Sequence, residues 1–155
     1  MKTLTDTVKN QNGSMIAVVI MLLAILTIVG IASITTSNNE QQTATSEQIH
    51  KMAFFAAEAG RSFVTQNSDL YHDDNTTIGG ALNFPDKANA DARYELWPQQ
   101  HFNGTVEYLG ATAVPRGSGF EAETYRAHNY RILSNGYGPR NSESRIETVF
   151  YRIGF

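Results

Sequence analysis

Four histidines, His50, His72, His101 and His128, and an oxygen-rich run, Asp69, Asp73, Asp74 and Asn75, are the side chains of this 155-residue protein best suited by type to hold a metal or move a proton. Zinc needs its ligands brought to one point, and a sequence advertises that as two histidines four apart on a helix or as HExxH; neither occurs. Calcium loops place oxygens at alternate positions around a central glycine. The Asp69 to Asn75 stretch has neither feature, so a solvated acidic loop is expected there, with calcium binding left open. Gly117-Ser118-Gly119 lacks the outer glycine of a nucleophile elbow, and no phosphate-cradling glycine loop is present. Cysteine is absent, which removes thiol nucleophiles, thiolate metal sites, disulfides and a lipoprotein anchor. Adjacent aspartates such as Asp73-Asp74 are ordinary loop composition and do not make a general acid/base pair. The expectation is a chain with no catalytic residues, no metal and no cofactor.

Charge points the same way. The formal net charge is -3, distributed unevenly. Asn67 to Glu123 carries nine acids against three bases, whereas Thr124 to Phe155 carries five arginines against two glutamates. Complementary segments of this kind can pair within one domain or between copies. An acidic total disfavours a surface that tracks phosphates, so nucleic acid is an unlikely partner, a local arginine patch aside.

The elements that would position these residues begin with an apolar run. Met15 to Ile34 is twenty residues without a charge. As a helix it spans about 30 Å, the thickness of a bilayer core. Lys2 and Lys9 outnumber Asp6 ahead of it, which keeps the N-terminus cytoplasmic and sends the remainder outward. Three fates are open to this segment: cleavage beyond it, after the small-x-small Gly30-Ile31-Ala32; no cleavage; or cleavage before it, after Gly13, with the apolar helix retained.

Thr35 to Asn39 are poor helix formers and read as a polar membrane exit or a hinge. From Glu40 the helical signal resumes, with Ile49, Met52, Ala53, Ala56, Gly60 and Phe63 forming one stripe and Glu47/Lys51 and Glu58/Arg61 pairing on the wetter side. An unbroken helix from Ser14 to Gln66 would be about 80 Å long, far beyond a leader peptide.

A short basic leader ending in Gly13, the run opening Ser14-Met15-Ile16, and Ala53-Phe54-Phe55-Ala56-Ala57-Glu58-Ala59-Gly60 at this distance together resemble type IV pilins, more narrowly the PilX-type minor pilins. A weaker echo lies in Tyr130-Arg131-Ile132 and Gly136-Tyr137-Gly138. The resemblance implies a leader over 1–13, removal by a prepilin peptidase between Gly13 and Ser14, and methylation of the new Ser14 amine. It implies an inner-membrane stage, then a filament whose core is a bundle of these helices. The partners it implies are other minor and major pilins, an inner-membrane assembly platform and a tip adhesin. Most pilins carry a glutamate at the fifth residue after the cut, where this chain has Val18; that departure points to a place at the filament tip, where no subunit sits above. The runner-up readings are a type II secretion pseudopilin and a signal-anchored or secreted binding module.

The composition of 53–60 is also what packing requires, small residues admitting a sheet and phenylalanines filling the rest. Residues 67–155 then form an outer domain. Its first part is loop-rich, with room for a short helix near Asp86 to Tyr94. Strands are expected over Thr105 to Leu109, Glu123 to Ser134 and Arg145 to Ile153, with Asn135-Gly136 to Ser142 as the last turn region. The fold class is therefore α+β: a long N-terminal helix, transmembrane over 15–34 and amphipathic over 40–66, packed on a small C-terminal antiparallel sheet. Arg131, Arg145 and Arg152 are expected to point away from the helix.

Overall fold

In a computed structural model that describes residues 11–71 and 77–154, one helix, α1, runs over Gln11–Gln66. The chain divides into two compact units between Thr45 and Ser46.

The first unit is helical throughout its described part, and every side chain from Ser14 to Ala44 is exposed. No proline interrupts it, and its hydroxyls bond back to the carbonyl four residues earlier: Thr27 to Leu23 at 2.6 Å, Ser33 to Val29 at 2.9 Å, Thr35 to Ile31 at 2.9 Å and Thr36 to Ala32 at 3.1 Å. Such bonds satisfy a hydroxyl without any neighbour, which is what an apolar surrounding demands. The helix continues through Thr35 to Asn39.

In the second unit, α1 from Ser46 onward packs on five antiparallel strands: β1 (Ala81–Phe84), β2 (Tyr94–Trp97), β3 (Gln100–Ala113), β4 (Arg126–Tyr137) and β5 (Glu143–Gly154). β3, β4 and β5 lie in that order, and the two short strands share the far edge of β3. The register sets Val106 beside Ile132 and Ile132 beside Thr148. Side chains alternate across a strand, so Phe102, Val106, Tyr108, Tyr130, Ile132 and Ser134 share the helix-facing side and are buried there. Full burial of side chains such as Phe84, Phe102 and Ile132 stabilises the unit by about 1.5–3 kcal/mol each.

The observed fold is the α+β arrangement expected from the sequence. Three details differ. No helix forms over Asp86 to Tyr94; the segment is a series of turns leading into β2. Asp86 Oδ1 accepts the Ala88 N–H at 2.9 Å and Asn89 Oδ1 accepts the Asp91 N–H at 3.0 Å, local bonds that compete with helical ones. Asn135-Gly136 is not a turn but the continuation of β4, and the reversal comes at Gly138 to Ser142. β3 and β5 also run longer than the alternation alone marked, β3 because it bends at a bulge between Tyr108 and Gly110 and resumes pairing, while β4 lies three residues further along than expected.

Candidate functional site

The segment 53–60 meets the sheet through its small residues. Ala53, Ala56, Ala57 and Gly60 are buried, and Val64 continues the line one turn on. At 3.6 residues per turn these positions share one face. A Cβ on Gly136 would collide with the helix backbone at Ala53 and Ala57, so the strand rests directly on the helix main chain. A Cβ on Gly60 would run into Ser134 Oγ and crowd the Phe102 ring. Ser134 Oγ, fully buried, donates to the Ala57 carbonyl at 2.7 Å, and Ser142 Oγ donates to the Ile49 carbonyl at 3.3 Å. Glu58 and Arg61 pair at 2.8 Å at the rim.

The two phenylalanines do something else. Phe54 is 41 % exposed and Phe55 64 % exposed, edge to face at 5.9 Å, so they do not fill the helix–sheet interface as expected. With Ala53, Ala56 and Ala57 turned inward, the intervening positions are carried round to solvent. The filling role falls to Phe63, whose ring lies 5.6 Å from Phe102 and 5.7 Å from Tyr94.

In the first unit Gly13 lies within α1, Ser14 is exposed, and Val18 is 54 % exposed among equally exposed Met15, Ile16, Val19 and Ile20. An apolar surface this continuous requires cover by lipid or by other apolar helices. It belongs to the one helix, among the described residues, that is long and apolar enough to cross a membrane. Residues 1–10 of the expected leader lie outside the described residues.

The run that surrounds Val18 and the alanine-rich docking face are thus parts of a single helix with two separate burial requirements. Residues 12–60 match the PilX N-terminal family. This is a PilX-type N-terminal segment. No curated protein and no solved structure matches the chain. That segment is similar to the N-terminal part of PilX-type pilins, and the long apolar helix on a small antiparallel sheet is a pilin-like arrangement.

Among the described residues, those considered for metal or acid/base chemistry stay apart. His50 is exposed on α1, His101 lies on β3, and His128 Nδ1 meets the Tyr108 hydroxyl at 2.9 Å. His72, Asp73, Asp74 and Asn75, part of the expected acidic loop, lie outside the described residues. Among the described residues no three His, Asp or Glu side chains gather as a metal site would need.

The arginines divide. Arg131 sits between Glu107 at 3.4 Å and Glu147 at 3.7 Å, joining the basic end to the acidic middle. Arg145 Nε donates to Asn135 Oδ1 at 2.8 Å. Arg152 contradicts the expectation that it points away from α1: its guanidinium donates to the Thr65 carbonyl at 3.3 Å and to the Tyr71 hydroxyl at 2.8 Å. The last carbonyls of a helix lack intrahelical donors and carry negative partial charge, so a cation there is favourable. The pairing of Arg152 with His128 in the β4–β5 register brings it to that end, a relation invisible in the sequence.

Proposed function

We propose that this chain is a minor pilin of a type IV pilus, non-enzymatic, that helps to prime assembly and sits at or near the filament tip. The observation that carries the reading is the exposed run Met15 to Ile34 in a PilX-type segment with Val18 where pilins usually place glutamate. A carboxylate within a bilayer costs a few kcal/mol. On the family pattern that cost is offset when the carboxylate meets the amine of the subunit above. Val18 makes no such contact, and the tip is the one position where none is needed.

On this reading a prepilin peptidase cuts between Gly13 and Ser14 and the Ser14 amine is methylated. The chain waits in the inner membrane with its N-terminus cytoplasmic and its second unit outside. Extraction by the assembly platform then exchanges lipid for helices of other minor and major pilins. Both surroundings are apolar, so the exchange has a small net free energy and assembly can reverse. A tip adhesin is a further partner of such a position. Gold-labelled antibody against the second unit should mark filament ends, and a Val18→Glu variant should spread along the shaft. Wild-type label along the shaft at subunit stoichiometry would contradict the tip assignment.

A further inference from the structure

On the sheet face turned away from α1, the β2–β3 and β4–β5 turns and the connector before β2 enclose a cleft of about 610 Å³. That volume falls within the roughly 300–1,000 Å³ of small-ligand sites. Its lining is polar: Arg93, Gln99, His101, Tyr137, Arg140 and Glu143 all contribute.

The floor is held in place. The Arg93 guanidinium stacks 4.0 Å over the Tyr137 ring, and the Tyr137 hydroxyl donates to Asn103 Oδ1 at 3.3 Å. Asn103, buried beneath the connector, donates in turn to the Ala90 carbonyl at 3.3 Å. One guanidinium face is thereby occupied while its N–H fork stays available at the edge, the geometry that suits a carboxylate.

The rim carries backbone strain. Among the described residues three non-glycine positions have left-handed φ, Gln99 at 71°, Arg140 at 55° and Asn141 at 58°, and all three line this cleft. A non-glycine residue in that conformation costs of order 1 kcal/mol, and glycine would remove the cost. Strained residues persist where the side chain is needed, and here one supplies a second guanidinium and two supply amides.

The charges choose among ligands. Two guanidinium groups attract an anion, but Glu143 stands in the same lining and the chain as a whole is acidic. A long polyanion would meet that acidic field along its length; a short saccharide carrying a few carboxylates would not. The amides of Gln99 and Asn141, with the Glu143 carboxylate, offer both donors and acceptors to hydroxyl groups. We propose that this cleft binds a short acidic saccharide, its carboxylate on Arg93 and Arg140 and its hydroxyls on Gln99, Asn141 and Glu143. The site lies wholly within the second unit and does not depend on the filament reading.

The test uses the full chain in detergent micelles, titrated calorimetrically with trigalacturonate, with neutral maltotriose and with a short single-stranded oligonucleotide. Trigalacturonate should bind saturably and maltotriose should not. Arg93→Gln and Arg140→Gly should each weaken binding about tenfold, the loss of one charge-assisted contact. Glycine suits φ of 55°, so the Arg140→Gly chain should melt no lower than wild type, and its lost binding then reports the guanidinium and not misfolding. No saturable trigalacturonate binding, equal binding of maltotriose, or binding untouched by both variants would overturn the proposal. Oligonucleotide binding tighter than trigalacturonate, with a steep fall in salt, would overturn the ligand class.

Discussion

Adding one methyl group at Gly136 should separate the helix from the sheet. Gly136 pairs with Phe102 on one side and Ser144 on the other, so the strand cannot move without disturbing both neighbours. A Cβ there would meet the Ala53 carbonyl and the Ala57 amide and lie 2.8 Å from the Ala57 Cα, and backbone has no rotamer to yield. Overpacking of this kind costs typically about 1–3 kcal/mol, and contact with a rigid helix main chain places it at the upper end. The Ser134–Ala57 hydrogen bond, two residues earlier on the same strand, is worth about 1 kcal/mol and stretches as the helix is displaced. Against this, alanine in a strand recovers about 0.5 kcal/mol relative to glycine. The net destabilisation is about 3 kcal/mol, which in a unit of about a hundred residues lowers the melting midpoint by roughly 10–20 °C. Near-UV circular dichroism of the full chain in detergent reports this unit through its tyrosines, and Gly30→Ala, with nothing within 4 Å, serves as the matched control. A Gly136→Ala midpoint within about 3 °C of wild type would refute the close approach of strand to helix.

Two further perturbations probe the same unit. Arg152→Gln removes the cation from the Thr65 carbonyl and the Tyr71 hydroxyl; because the side chain is exposed, the cost should be about 1 kcal/mol, seen as faster amide exchange confined to the last turn of α1. Uniform acceleration across the sheet would contradict a local cap. Burial, reinforced by the neighbouring Tyr108 and Tyr71, raises the Tyr130 phenol above its ordinary value of 10.0. The unfolded chain therefore ionises first, so this contribution to stability is complete below the ordinary value and is lost as pH climbs through the raised one. Tyr130→Phe should flatten the fall in denaturation midpoint between about pH 9 and about pH 11, and an unchanged slope would remove Tyr130 as its source.

What the sequence revealed and what it hid follow from the range of the forces involved. The membrane-length run and the small residues at Ala53, Ala56, Ala57 and Gly60 were legible because helix periodicity is local. The strand pattern in β3, β4 and β5 was legible from alternation, though its ends were not. Asn135-Gly136 carries a strong short-range turn signal, yet tertiary contact overrides it: the glycine is required by the helix lying against it. The side-chain bonds of Asp86 and Asn89 were local and could have been read as turn chemistry, which is why the helix expected there does not form. The exposure of Phe54 and Phe55 could have been foreseen from the angle between them and the alanine face. Nothing in the sequence could place Arg152 against Thr65, or gather Arg93, Gln99 and Arg140 round one cleft, because those relations are set by strand register.

The filament reading requires that the apolar helix is retained in a mature chain starting at Ser14. Mass spectrometry of the mature chain purified from membranes or filaments tests it most directly. The N-terminal peptide should start at methylated Ser14; a chain starting at Ser33, with the apolar run removed, or one still starting at Met1 would overturn the filament reading.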